Sequence, residues 1–453
     1  MIIEKELLLK YNVPVPRYTS YPTVPYWDET IDNSNWKANV SKQFIAHNSE
    51  GISLYIHLPF CEKLCTYCGC NKKITTNHSV EDEYIDAVLK EWTLYKSMMN
   101  GVPVIKELHL GGGTPTFFSS QNLFRLITGI LNNCTVHPKH EFSFEGHPNN
   151  TTFEHLQTLY DLGFRRVSFG VQDNDPEVQR IINRIQPIEN VIAVTEAARK
   201  IGYRSINFDL IYGLPKQTIS SIEKTILQCC EIKPDRIAFY SYAHVPWTSR
   251  GQRLFDENDL PSAPEKISLY LLGKKILLEH GYEDVGMDHF ALPNDDLNIA
   301  RKEGTLNRNF MGYTTSNNSM LIGLGVSAIS DTGNAFAQNS KTLSDYYRAI
   351  AKNEMATRKG YFLSDEDVRF RRYILDISCN FKTVFDPKDL PLLMKYSFPM
   401  LSVLEEDGLV CWNYEDAELT SKGVHFLRNI CSAFDIKLLQ SGASSVLKFS
   451  QAI

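Results

Sequence analysis

From Ser53 to Tyr240 the chain alternates short apolar runs with longer amphipathic stretches. The runs at 53–58, 105–110, 141–145, 166–171, 205–210 and 236–240 predict strands. Residues 80–96, 121–131, 154–162, 191–201 and 220–231 predict helices between them. Alternation at this interval implies right-handed βαβ units and a parallel sheet, and six units make a partial barrel. Residues 264–281 predict a further amphipathic helix, and the segment up to Phe290 a strand. Beyond about residue 360 the pattern changes to helices and short strands. There 401–412 and 419–426 predict a helix, a two-strand wing and a last helix. Residues up to about 45 are rich in proline and aromatics without long periodic runs, which predicts an extended arm wrapped on the main domain. The expected division is an arm at 1–45, a barrel at 46–285, a barrel extension with a substrate-side loop at 286–360, and a mostly helical C-terminal domain at 361–453.

A parallel barrel places its chemistry at the C-terminal ends of its strands. The unusual residues fall there one after another: a cysteine-rich loop, then Gly111-Gly112-Gly113, Glu145, Gln172, Asp209 and the stretch Tyr240–Ala243. A glycine triplet is entropically unfavourable unless a tight turn or a close ligand requires it. A carboxylate ending a buried strand needs a partner, either an ion pair or a ligand cation. His147 reads first as a surface histidine and otherwise as a substrate contact or proton donor, and Arg184 as a partner for an acid such as Glu177 or as a site residue. Asp209 reads as a loop cap or as a site residue.

The cysteine loop is Cys61-Glu-Lys-Leu-Cys65-Thr-Tyr-Cys68-Gly-Cys70. Crowding on one loop, with no secretory signal, argues against disulfides. Zinc sites usually combine two separated cysteine pairs or add histidines, and no second C-x2-C pair is present. Thiolates in short runs are the normal ligands of iron–sulfur clusters. Three of them leave one iron of a [4Fe–4S] cluster open to a substrate or cofactor.

Composition adds limits. The chain of 453 residues has a formal net charge of −6, which gives no electrostatic reason to expect nucleic-acid binding, and the wing region shows no basic recognition face. It reads as a lid on the barrel mouth that keeps water and oxidants out. Glu4, Lys5, Glu6 and Lys10 open the chain and no long apolar run follows, so no membrane segment and a cytoplasmic location are expected. The cysteines outside the loop (Cys134, Cys229, Cys230, Cys379, Cys411, Cys431) read as small core residues.

The loop resembles the radical S-adenosylmethionine (SAM) signature. The longer string Tyr55-Ile-His-Leu-Pro-Phe60 through Lys72 resembles the oxygen-independent coproporphyrinogen III oxidase family within that superfamily. Pro16–Pro22, Gly111–Thr116, Gly170–Asp173, Asn207–Pro215, Gly286–Phe290, Arg308–Thr315, Leu324–Ile329 and Arg428–Cys431 extend the resemblance over nearly the whole chain. It implies a TIM-like radical SAM (β/α)6 partial barrel with an N-terminal arm and a winged-helix-like C-terminal domain. Cys61, Cys65 and Cys68 then hold the cluster. Tyr55, Tyr67, Cys70, Gly112, Gly113, Thr114, Glu145, Gln172, Arg184, Asp209, Ala243 and Ile329 line the SAM sites, with two SAM molecules expected and Cys70 near the second. Arg17 becomes a candidate propionate contact. The implied reaction converts two propionates of coproporphyrinogen III to vinyls through a 5′-deoxyadenosyl radical, giving protoporphyrinogen IX. It implies a monomer served by an electron donor such as a flavodoxin or ferredoxin. Gly146, His147 and Met311 depart from the family pattern. The alternatives are a haem chaperone or haem-opening methyltransferase of the same superfamily, and a non-catalytic iron–sulfur sensor. The cysteine at 70 and the Pro16–Pro22 arm speak against the chaperone.

Overall fold

A computed structural model describes residues 5–441 and 449–452. Six parallel strands form its centre: β1 (Ile52–Leu58), β2 (Val104–Gly112), β3 (Thr135–Gly146), β4 (Phe164–Gln172), β5 (Ser205–Tyr212) and β6 (Arg236–Ser241). Each pairs in parallel with the next. The intervening helices include Val80–Met98, Ser120–Leu131, Phe153–Asp161, Ile188–Ile201 and Ile219–Ile232. This is the predicted α/β partial barrel.

Two faces of each strand explain the arrangement. Leu54, Ile56, Leu108, Leu110, Phe142, Phe144, Val167, Phe169, Ile206 and Phe208 are buried in the main core. The alternate positions are polar, and across β2 to β4 they lie in register, His109 beside Ser143 and Ser143 beside Arg166. Strand period two therefore puts apolar side chains under the helices and polar ones inside the barrel. A polar inner space of about 150 Å³ results, bordered by Glu107, Glu141, Arg166, Asn207 and Arg236 among others.

The sheet continues beyond the six units. Leu321–Leu324 pairs in parallel with β1, and Ile329–Asp331, Ala335–Asn339 and Thr357–Phe362 follow antiparallel. On the other side His289–Ala291 and Glu283–Gly286 extend β6 antiparallel. Glu91, fully buried on the Val80–Met98 helix, ties the first extension down. It accepts from the Gly325 N–H (2.7 Å), Asn339 Nδ2 (2.6 Å) and Tyr346 Oη (2.7 Å).

Two expectations need correction. The arm is not simply extended, because Lys5–Tyr11 and Asn33–His47 are helices. Asp32 starts the second by accepting from the Ser34 and Asn35 N–H groups (2.7 and 3.0 Å), and Trp36, Val40 and Phe44 anchor it in the barrel core at i, i+4, i+8. The C-terminal region forms the predicted helix and wing (Phe398–Glu406, Val410–Trp412, Asp416–Leu419), with Lys382–Val384 added as a third strand. Its apolar residues share a separate core with Leu7, Leu8, Tyr18 and Tyr21 of the arm and Ile267 of the Ala263–Glu279 helix. Arg428 fastens it to the Val15 carbonyl and the Gln451 carbonyl (2.9 Å for the latter). Finally, Cys411 is exposed and Cys134 half-buried, whereas Cys229, Cys230, Cys379 and Cys431 are buried as expected.

Candidate active site

After β1 the chain turns at Pro59, and Phe60–Cys61 pairs with Lys73–Ile74 in a two-residue parallel ladder that closes the cysteine loop at its base. Neighbouring segments brace the loop. The Thr66 N–H donates to the Ile182 carbonyl (3.0 Å), and Asn183 Nδ2 to the Leu64 carbonyl (2.8 Å). Ser249 Oγ and Lys72 Nζ donate to the Cys68 carbonyl (3.0 and 2.8 Å). Gln252 Nε2 donates to the carbonyls of Tyr67 (2.9 Å) and Ala243 (3.1 Å).

None of the cysteines is in a disulfide. Cys61 Sγ accepts from Thr114 Oγ1 (3.3 Å), and Cys65 Sγ accepts from Arg184 Nη1 (3.6 Å). A hydrogen bond from Cys70 leads the influences that bring the Cys68 thiol down to about 6, with Lys72 helping against burial. That shift favours the thiolate, the form that ligates metals, whereas burial, against the Thr114 hydrogen bond, pushes the Cys61 thiol up to about 11. Among the described residues no three histidine, cysteine or carboxylate side chains converge as around a single metal ion. The cysteines instead face a shared cavity of about 400 Å³.

The glycine triplet ends β2 against the continuation of β1. Gly112 has φ +113°, and a Cβ there would lie 2.6 Å from the His57 ring. At Gly113 it would lie 2.6 Å from the Pro59 backbone. The Gly113 and Thr114 N–H groups donate to the carbonyls of Leu58 (2.8 Å) and Phe60 (3.0 Å). Close packing therefore already requires glycine, and the same packing brings the backbone to the cavity edge.

Glu145 Oε2 accepts from the Gly112 N–H (3.1 Å), and His109 Nε2 lies 3.5 Å from Oε1. The side chain is 44% accessible, through the cavity. Burial pushes its carboxyl up, but His109 and the Gly112 N–H outweigh this and hold it below the usual range. The result is an anion facing open space.

Arg184 does not pair with Glu177. Its Nη2 donates to the Gly170 carbonyl (2.6 Å), its Nη1 reaches Cys65, and its buried Nε has no protein partner. Gln172 has φ +68° where the β4–β5 register shifts, so an irregularity in the strand re-aims it. Asp209 is not a loop cap: Ser168 Oγ and Asn207 Nδ2 donate to it (both 2.9 Å). Burial and then the Glu145 charge raise its carboxyl to about 6. Folding thus favours the neutral form. That contribution is full below the unfolded value of 3.8 and is lost as pH rises through about 6. Asp209→Asn is expected to raise the melting temperature of the cofactor-free protein at alkaline pH and to change it little in acid, measured by calorimetry.

His147 is not a surface histidine. It lines the cavity, and its Nδ1 accepts from the Asn149 N–H (3.1 Å), which places the ring proton on Nε2. Burial, then Arg184 and Lys63, lower it to about 2, so the ring is neutral.

One cavity thus gathers Cys61, Cys65, Tyr67, Cys68, Cys70, Gly112, Gly113, Thr114, Glu145, Gln172, Arg184 and Asp209. An adjoining one of about 620 Å³ is bordered by Tyr55, Cys70, Gly112, Glu145 and Ile329, together with Phe310, Met311 and Lys341. Ala243 lines neither, and its carbonyl is joined to that of Tyr67 on the loop through Gln252 Nε2. Arg17 lines neither: its Nη2 donates to the Ser241 carbonyl (2.9 Å) and its Nη1 lies 3.7 Å from Asp288. His57, His109 and Tyr240 also border these spaces, though motif reading passed over the two histidines. Their signal is parity, since Tyr55, His57 and His109 share the polar face of their strands.

Residues 55–229 match the family model of the radical SAM superfamily. The chain is 38% identical to the oxygen-independent coproporphyrinogen III oxidase of Escherichia coli (strain K12), over 99% of this chain and 98% of that one. It is 36% identical to the Synechocystis protein of the same name, over 99% and 97%. The solved Escherichia coli coproporphyrinogen III oxidase, described as a radical SAM enzyme, superposes with a TM-score of 0.89 at 37% identity, covering 94% of this chain and all of that one.

Proposed function

The chain belongs to the oxygen-independent coproporphyrinogen III oxidases of the radical SAM superfamily, and from this we infer how its own residues serve that reaction. It is a haem-biosynthetic oxidoreductase that decarboxylates propionates of coproporphyrinogen III without molecular oxygen. The observation that carries the assignment of roles is the convergence of Cys61, Cys65, Cys68, the Gly112–Gly113 edge and the Glu145 anion on one cavity.

The donor set fits a [4Fe–4S] cluster: three thiols with no disulfide partner, each receiving a hydrogen bond, around space instead of a single point. Cys61, Cys65 and Cys68 hold it. When bound, cluster and SAM supply one-electron cleavage of a sulfonium and a carbon radical that takes a hydrogen atom from a propionate. Around them the protein binds, orients and shields. The Gly112 and Gly113 backbone and Thr114 would hold the amino-acid end of SAM, and Glu145 would offer its carboxylate to an α-ammonium there. Gln172, Arg184 and Asp209 line the same pocket, and Tyr67 sits on the loop beside them. Arg184 also neutralises thiolate charge at Cys65. The adjoining cavity, bordered by Tyr55, Cys70 and Ile329, is the place for a second SAM molecule, and an electron carrier of the flavodoxin or ferredoxin class supplies the reducing electron. His147 adds a neutral Nε2–H donor close to Glu145, and Met311 presents a thioether that donates no hydrogen bond.

The test is an anaerobic assay of the reconstituted protein with reductant, SAM and coproporphyrinogen III, followed by mass analysis of the tetrapyrrole. The expected result is two successive losses of carbon dioxide and two hydrogens, coupled to 5′-deoxyadenosine formation. SAM cleavage with an unchanged tetrapyrrole would overturn the substrate and point to a haem-binding relative.

A further inference from the structure

We propose that the outer face of the cysteine loop, together with residues 180–185 and 247–254, is the docking surface for a small acidic one-electron carrier protein. The proposal rests on the reading of the cavity as a cluster site, which needs one electron delivered from outside.

Three segments build the face by direct contact. The Thr66 N–H bonds the Ile182 carbonyl, Asn183 Nδ2 bonds the Leu64 carbonyl, and Ser249 Oγ bonds the Cys68 carbonyl. The Gly251 backbone packs so close that a Cβ there would lie 3.2 Å from the Thr66 carbonyl oxygen. Any protein seated here is one layer of loop away from Cys65.

The apolar content of this face is out of proportion. Among the described residues six large apolar side chains are at least 60% exposed: Ile45, Ile185, Trp247, Leu254, Val384 and Tyr414. Three of the six belong to the two segments that flank the loop: Ile185 (60%), which stands at the rim of the 400 Å³ cavity, Trp247 (63%) and Leu254 (66%). The other three are dispersed on the arm helix and the C-terminal domain. Exposed apolar groups collected at one place, rimmed by polar ones, mark an interaction site.

The rim is cationic in a chain whose net charge is −6. Residues 61–73, 180–185 and 247–254 contain a single acid, Glu62. Lys63, Arg180, Arg250 and Arg253 are exposed among them. Acids close by along the chain are Glu177, Asp256 and Glu257, of which Asp256 accepts from the Asn258 N–H (2.9 Å) and Glu257 from His244 Nε2 (3.0 Å), so cations remain in excess around the loop. A second copy of this chain would set like charges face to face across a two-fold axis. An acidic carrier instead finds complementary charge, which steers encounter. In the docked complex the carrier gives up one electron and the cluster gains it, with no proton or group transferred.

The experiment uses the reconstituted, cluster-loaded protein and follows bleaching of the cluster's visible absorption by stopped flow, with reduced flavodoxin and separately with dithionite. In the double variant Trp247→Ser/Arg250→Glu, reduction by flavodoxin should slow by at least about tenfold and lose most of its salt dependence, while reduction by dithionite is unchanged. Arg250→Lys should behave as the parent. Unchanged flavodoxin rates overturn the proposal, and so does an equal slowing with dithionite, which would mean a disturbed loop. Because the readout is the cluster itself, the result does not depend on decarboxylation. A parent protein with no dithionite-reducible cluster overturns the cofactor reading first, and the surface with it.

Discussion

Cys65→Ser is expected to lower decarboxylation more than about 10³-fold, which corresponds to roughly 4 kcal/mol of lost transition-state stabilisation. A serine hydroxyl is not deprotonated at neutral pH, so on the proposed ligand set one iron is left without its protein ligand. Arg184 then keeps its bond to the Gly170 carbonyl but loses the sulfur it donates to. Iron content per chain and the cluster's visible absorption should fall together with activity, while far-ultraviolet circular dichroism stays unchanged. Cys70→Ser is the control. Cys70 is exposed, near the junction of the two cavities, so its serine variant should keep its iron and absorption. Equal iron loss in both variants would remove Cys70 from its separate role and make it a ligand.

The second large effect lies on stability. Asp295→Ala is expected to destabilise the protein by about 3–5 kcal/mol, because it leaves a buried cation without its hydrogen-bonded counter-ion. Arg236 Nε donates to both Asp295 oxygens (2.7 and 2.8 Å), and the two side chains are 4% and 3% exposed. The terminal nitrogens of Arg236 have no protein partner and border the polar space inside the barrel. Asp295 also accepts from Ser205 Oγ (3.0 Å) and the Leu297 N–H (2.8 Å), so it ties β5 and β6 to the start of the Asp296–Glu303 helix. Asp295→Asn keeps the shape and part of these bonds and should lose less. Burial pushes the Asp295 carboxyl up, but Arg236 outweighs it and holds it below its usual value. Its stabilisation is therefore present above the unfolded value and disappears as pH falls through the folded one. Parent and Ala variant should converge in acid, read as denaturation midpoints across pH. A gap that stays constant into acid would mean the loss is one of packing alone.

What could be read along the chain was local or periodic. C-x3-C-x2-C, the glycine triplet and strand–helix alternation each occupy a few neighbouring residues, and the rule that parallel strands present chemistry at their C-terminal ends joined them into one site. The extended-arm reading failed because Asn33–His47 has a small apolar face, just Trp36, Val40 and Phe44, in a polar stretch. The packing partner of the C-terminal region was equally unreadable, because an apolar face does not name its partner, and here the arm shares its core. His147 read as a surface residue because nothing adjacent reveals that Arg184 and Glu145, dozens of positions away or on the strand just before, close a cavity around it. The same holds for His57 and His109, whose place on the polar strand faces was written in their parity but acquires meaning only when the six strands curve together. Sequence by itself determined the elements and the end of the barrel where the cysteine loop, the glycine triplet and Glu145 meet, since these follow from spacing and backbone period. Tertiary structure alone decided the partners of buried charges, the protonation of His147 and Asp209, and the grouping of Trp247, Leu254 and Ile185 beside the cysteine loop, since desolvation and Coulomb energy depend on distances in space that no spacing along the chain encodes.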